Sequence, residues 1–250
     1  MSRYFLEVSY KGSAYSGFQK QDNANTIQAE IEKAFFIIQK SVIDITGSSR
    51  TDSGVHALQN FFHFDYDNPI PPQFLYKLNA ILPVDIVAVN IQQVNENAHC
   101  RFDATSREYS YFLHQEKNPF LHDRAYYYPY TIDFIKLNEA AKLIIQYEDF
   151  TSFSKRNTQV KSFQCRIEKS EWKKEEKLFV YTVKANRFLR GMVRGLTGTM
   201  LQVGRGKISL DNLKNIIEGQ DNSKAYFAVP AKGLFLQNVE FPAAIYNNEG

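Results

Sequence analysis

Apolar and polar residues alternate at the start of the chain. Tyr4, Leu6, Val8 and Tyr10 stand on one side with Glu7 and Ser9 between them, which predicts a strand. A polar loop from Gly12 follows, and the period then lengthens. Ile27, Ile31, Ala34, Phe35 and Ile38 fall on one face of a helix from about Asn25 to Lys40, with Asn25 placed to cap it and Gln28 to complete a capping-box-like contact. Val42 to Ile45 reads as a short strand and Leu58 to Asp65 as a longer one, separated by the small-residue loop GSSRTDSG. Pro71 and Pro72 open a second helix carrying Phe74, Leu75, Leu78 and Leu82; Pro83 ends it, and Val84 to Val94 is a strand.

The second half resembles the first. Glu108 to Leu113 is a strand with Tyr109 and Tyr111 on one side and Glu108 and Ser110 on the other. Thr131 can cap a helix bearing Phe134, Leu137, Ala141 and Ile144. Phe163 to Trp172 and Leu178 to Ala185 form a hairpin around a KKEEK turn. A helix from about Arg187 to Val203 stops at Gly204, Ser209 caps a last short helix ending at Gly219, and Leu234 to Phe241 is the final strand. Two successive strand-helix-strand-strand-helix-strand halves predict an α+β protein with antiparallel sheets covered by helices on one side. We expect an N-terminal half, 1–104, carrying the loop, and a C-terminal half, 105–250. No Gly/Pro-rich linker separates them, so they should pack tightly, and only the last residues, NNEG, look like a loose tail.

Composition narrows the class little. A chain of 250 residues with 44% apolar residues and a mean hydropathy of −0.40 has material for a real core. A net charge of +3 permits a polyanionic partner without demanding one. Fifteen Tyr and twenty Phe leave some rings over for stacking on bases. Cys100 and Cys165 make no disulfide framework, and neither they nor His56 and His63 show metal-ligand spacing, so no metal site is expected. No apolar run approaches the ~18 residues that span a bilayer. The alternating N-terminus is a strand and not a signal segment, which makes the cytoplasm the expected compartment.

Chemistry concentrates in Gly47–Asp65. A loop of small residues holds Arg50 two positions from Asp52, and small neighbours let a substrate approach the backbone. A guanidinium beside a carboxylate favours its ionised form, fit to act as nucleophile or general base. The same two residues would also suit a plain ion pair closing a turn. In the Arg187–Val203 helix, Leu189, Val193, Leu196, Met200 and Val203 make an apolar face, while Arg187, Arg190 and Arg194 share another. Cations in a first helical turn oppose the macrodipole, which points to an anionic partner or else to a solvated basic stripe.

The segment SSRTDSGVHA resembles the signature of the bacterial tRNA pseudouridine synthase A family. YSGFQKQ, HCRFDATSREYSY, DFTSFSK, NRFLRGMVRGLTGTMLQVGRG and VPAKGLFLQNVEF resemble further family segments in the same order, so the resemblance covers nearly the whole chain. Ser48, Ser49 and Ser53 depart from the usual Ala, Gly and Ala, and Gly195, Leu196 and Thr197 replace an Asn-Ile-Val run.

The resemblance implies two ferredoxin-like, RRM-like halves joined in one extended antiparallel sheet around a central active-site cleft. It implies a homodimer without cofactor or catalytic metal that isomerises uridine to pseudouridine at positions 38, 39 and 40 of the tRNA anticodon stem-loop. It implies that Asp52 is the nucleophile and Tyr109 the ring that stacks on the target uracil. Arg50 would fill the space vacated by the flipped base or hold its backbone, at a flipping cost of a few kcal/mol. Arg194 would pair with the catalytic carboxylate, and Arg190, from its place in the basic stripe and not from the resemblance, is expected to contact RNA. Whether Asp52 attacks C1′ or C6 stays open. Two other readings compete: a non-catalytic RNA-binding protein, and a glycosidase-like hydrolase, which would need a second facing carboxyl group.

Overall fold

The computed structural model describes residues 1–67, 69–155 and 160–246. It is a mixed α+β protein with nine strands and five α-helices among the described residues. The chain forms two compact units, Met1–Thr105 with the chain from Leu236 onward, and Ser106–Phe235.

The first unit runs β1 (Ser2–Tyr10), α1 (Ile27–Gln39), β2 (Thr46–Gly47), β3 (His56–Tyr66), α2 (Phe74–Ile81) and β4 (Ile86–Val94). β1 is central and antiparallel to both β3 and β4, with Leu6 opposite Phe62 on one side and Ile91 on the other. β2 lies on the far edge of β3, giving the order β4-β1-β3-β2. The predicted apolar face of β1 is buried, with Leu6 and Val8 at 0% exposure, and Phe5 on its other face is buried as well, at 1%. Phe35 of α1 sets its ring edge on Phe64 at 5.0 Å and meets Phe74 of α2 at 5.4 Å, so both helices cover one face of the sheet.

Two expectations fail here. The cap of α1 is Thr26, whose Oγ1 accepts from the Ala29 N–H at 3.3 Å; the Asn25 carbonyl is engaged by the Ser16 N–H instead. Gln28 makes no capping box, because its amide is spent on Lys20, Glu32 and the Ile45 carbonyl. Val42 to Ile45 is not a strand. Lys40 ends α1 in the left-handed region, Val42 is 80% exposed, and the Ile45 carbonyl is satisfied by the Gln28 side chain, so pairing with β3 begins only at Thr46.

The second unit contains β5 (Ser106–His114), β6 (Tyr126–Tyr127), α3 (Phe134–Ile144), β7 (Ile167–Glu175), β8 (Leu178–Ala185), α4 (Met192–Gly204) and α5 (Leu210–Glu218). β9 (Leu234–Glu240) starts here and finishes in the first unit. β8 lies between β5 and β7, antiparallel to both, and β6 adds two parallel pairs at the end of β5. The opening of β9 lies against β5, where Phe235 meets Phe112 edge-on at 5.1 Å. α3 is bolted to β7 by Asn138, which donates to the Trp172 carbonyl and accepts from its N–H.

Here too the termini needed correction. Asp133, not Thr131, caps α3: its carboxylate accepts from the N–H groups of Ile135 and Lys136, and negative charge suits a helix N-terminus. The first strand of the hairpin starts at Ile167, four residues after Phe163.

The larger correction is α4, which begins at Met192 and not at Arg187. Asn186 bonds back to Arg166 through both backbone and side chain, and the Arg190 carbonyl accepts from the Lys155 N–H, where a helix would require the N–H of residue 194. Gly191 then turns the chain at φ +76°. Arg187 and Arg190 are therefore not on the helix, and only Arg194 lies in its first turn. α4 is buried nearly throughout, and its small residues have packing reasons. A Cβ on Gly198 would stand 2.0 Å from the Tyr226 carbonyl oxygen, and one on Gly195 would stand 2.7 Å from the Phe227 ring. Ser209 caps α5 with a full capping box to Asn212, as its sequence suggested. The NNEG tail lies outside the described residues.

Candidate active site

The loop that follows β2 has almost no regular structure, so its position depends on bonds to its surroundings. The Ser48 N–H donates to the Phe61 carbonyl at 2.8 Å. The Phe18 N–H donates to the Thr51 carbonyl at 3.1 Å, and the Val55 N–H closes a turn onto the Asp52 carbonyl at 3.1 Å. Ser53 Oγ donates to the Tyr15 carbonyl. The YSGFQKQ segment is thus the support under this loop. Gly17 sits at φ +113°, and a Cβ there would come within 3.2 Å of the Thr51 oxygen, so an L side chain is disfavoured by conformation and crowding alike. Phe18 stacks on Phe62 at 4.6 Å and fills the space beside Gly47.

Ser49 and Thr51 are buried, at 7% and 8% exposure, while Arg50 is exposed and Asp52 half-buried. No ion pair joins Arg50 to Asp52 among the described residues. The alternative of a plain turn-closing ion pair between Arg50 and Asp52 is therefore corrected. With Ser49 and Thr51 anchored inward, the guanidinium is left in water, where an exposed pair gains at most ~1 kcal/mol. Asp52 stands at the loop tip as a partly accessible carboxylate with small neighbours, equipped for nucleophilic or basic work. The hydroxyls of Ser48 and Ser49, two of the departures from the family pattern, are buried without a protein partner.

The remaining candidates belong to the second unit. Tyr109 is half-buried on β5, and Phe188 meets its ring edge-on at 5.1 Å and 84°, which fixes the ring plane. Tyr111, on the same face, is fully buried and donates to the Pro230 carbonyl at 2.8 Å, so it is the core residue of the two. Arg194 donates from Nε to the Val229 carbonyl at 2.9 Å, which aligns its guanidinium despite the helix dipole. Arg190 is exposed beside Lys155, which packs over Gly191. Arg156 lies outside the described residues.

Reading the sequence missed Tyr10, Asn60 and Phe188. Asn60 carried a usable signal, a lone amide in an otherwise apolar strand run, NFFHF. His56 and His63 are both buried in the first unit. His56 Nδ1 accepts from the Gly12 N–H, and His63 Nδ1 lies 3.2 Å from Cys100 Sγ. Burial, with His99 and Arg3 adding to it, holds the His63 pKa down at about 4. Among the described residues no three His, Cys, Asp or Glu converge on a metal position, and no helix is long and apolar enough to cross a membrane.

An anchored small-residue loop presenting one half-buried carboxylate on an α+β framework has the features of an enzyme site. The family model described as tRNA pseudouridine synthase matches residues 7–103 and 140–242, and the chain belongs to that family of isomerases acting on tRNA. It is similar to the tRNA pseudouridine synthase A of Parabacteroides distasonis, 44% identical over 98% of each chain. The protein of the same name from Bacteroides fragilis is 43% identical over 98% of this chain and 99% of its own. That from Staphylococcus saprophyticus is 38% identical over 95% of this chain and 90% of its own.

Proposed function

We propose that this protein converts uridine to pseudouridine at positions 38, 39 and 40 of the tRNA anticodon stem-loop, with Asp52 as nucleophile. The observation that carries this reading is the half-buried Asp52 carboxylate at the tip of a loop anchored on both sides, in a chain of this family. The C1′–N1 bond must break, the uracil must turn, and C5 must bond to C1′. A carboxylate that attacks the sugar or the base holds the intermediate during the turn. Tyr109, its plane set by Phe188, stacks on the flipped uracil; Arg194 faces the carboxylate; Arg50, free in solvent, follows the flipped nucleotide; and Arg190 meets phosphate. In this reading two ferredoxin-like halves, 1–104 and 105–250, share one extended sheet and enclose the cleft. The matching order of elements in the two units supports that arrangement. The working form is a cytoplasmic homodimer without cofactor.

The test is incubation with unmodified tRNA and mapping of pseudouridine by a chemical-modification stop assay. Asp52→Asn is expected to lower the rate by on the order of 10³ or more while fold and tRNA binding persist. A near-normal rate in that variant removes Asp52 as nucleophile. Release of free uracil would establish the hydrolytic reading, and tRNA binding without turnover the non-catalytic one.

A further inference from the structure

Beneath the catalytic loop lies a buried amide whose bonds have a single direction. Asn60 is 0% exposed on β3. Its Oδ1 accepts from the backbone N–H groups of Ser49 at 3.2 Å and Phe61 at 2.9 Å. Its Nδ2 donates to the Ser49 carbonyl at 2.8 Å and to the Tyr10 hydroxyl at 3.1 Å. Backbone N–H groups only donate and carbonyls only accept, so the amide cannot be flipped. The Tyr10 hydroxyl, which accepts from Asn60, also shares a hydrogen bond with Thr51 Oγ1 at 2.8 Å, which either hydroxyl can donate. Asn60, Tyr10 and Thr51 thus form one hydrogen-bonded chain. One side chain grips the loop backbone at Ser49 and, one link further on, the loop side chain at Thr51.

We propose that Asn60 is a positioning residue for pseudouridine formation, fixing Asp52 by clamping the loop on both sides of Arg50 through Ser49 and the Tyr10–Thr51 link. The proposal rests on Asp52 being the nucleophile. An amide in a strand interior is costly unless every polar atom is used, and here both donors and the acceptor are engaged. A loop held by so few backbone bonds moves easily once the clamp goes, and ~1 Å of misplacement at a reacting group costs about 10²-fold in rate.

Asn60→Asp is the discriminating variant, because it keeps shape and acceptor but removes both donors. Single-turnover rates on tRNA should fall about 10–100-fold near neutral pH, while tRNA affinity stays within about threefold of wild type. Burial favours the neutral acid and raises its pKa, so lowering the pH restores one O–H donor and should recover part of the rate, a rise the wild type lacks. Tyr10→Phe breaks the same chain one link on and should also lower the rate. The double variant should be little worse than Asn60→Asp alone, since both act on one chain. Variants that melt earlier but keep the wild-type rate would make the clamp purely structural and overturn the proposal. If Asn60→Asp does not fold, Tyr10→Phe decides, and an unchanged rate there overturns it. An inactive Asp52→Asn beside a fully active Asn60→Asp sinks the positioning role alone. An active Asp52→Asn sinks the nucleophile, and the positioning role with it.

Discussion

The two units follow one plan but differ at their second strand. In the second unit, β7 has nine residues and pairs with β8 until Glu175 faces Leu178, so two residues suffice to turn the chain. In the first unit, the corresponding strand, β2, is reduced to Thr46 and Gly47, and residues 48–55 leave the edge of β3 before the next strand begins. Backbone groups that a full strand would have paired are taken up by Asn60 and by the Gly17–Phe18 support. The lesson is that the Asp52 carboxylate stands where sheet pairing has been given up, and that buried side chains replace the lost ladder. The second unit keeps its ladder and offers instead a ring on a strand, Tyr109, and cations around the start of α4. Under the proposed function, the first unit carries the bond-making group and the second holds the substrate.

The largest effect that tests this division is at Tyr109. Base–aromatic stacking is worth about 1–3 kcal/mol, so Tyr109→Ala should lower the single-turnover rate by about 10–100-fold, while Tyr109→Phe should bind as wild type and lose less. If Phe is as damaging as Ala, the hydroxyl moves a proton, and the second unit shares in the chemistry. If Ala is fully active, Tyr109 is packing, like Tyr111.

A smaller effect concerns the cations. Each phosphate neutralised contributes about one unit to the slope of log affinity against log salt. Lys155→Ala and Arg190→Ala should each make that slope shallower by about one unit. Both residues lie together at the turn before α4, joined by the Lys155 N–H to the Arg190 carbonyl, so they would meet neighbouring phosphates. Slopes unchanged in both variants would place the RNA elsewhere and break the assignment of grip to the second unit.

Much of this was legible in the sequence because apolar periodicity reports burial directly. The faces of α1, α2 and α3 and the β7–β8 hairpin follow from it, and the Ser209 cap from the residue type itself. What was not legible depended on competition for backbone groups. Thr26 and Asn25 are equally good caps in composition, and the Asn25 carbonyl was already committed to Ser16. Arg187, Arg190 and Arg194 have helical spacing, yet the bonds of Asn186 to Arg166 and of the Arg190 carbonyl to the Lys155 N–H, which no local pattern records, hold the first two outside the helix. At the site, Asp52 stood out through its small neighbours, whereas the clamp of Tyr10 and Asn60 joins positions fifty residues apart.

The smallest expected effect sharpens the comparison from the other side. If the second unit's turn is only a turn, it should improve when its backbone is relieved. Glu176, exposed in the two-residue connection, sits at φ +52°. An L residue with a long side chain pays about 1–2 kcal/mol in that region, and glycine pays nothing there but loses about 0.5–1 kcal/mol more entropy on folding. Glu176→Gly should therefore stabilise the protein by about 0.5–1 kcal/mol, a rise of roughly 1–3 °C in Tm for a chain of this length. Thermal unfolding checks the first part, and the single-turnover rate, expected unchanged, checks the second. A lower Tm would mean that the Glu176 side chain holds the hairpin through contacts worth more than the strain. A changed rate would mean that this turn takes part in substrate handling, and the contrast between a chemical loop in one unit and a structural turn in the other would fall.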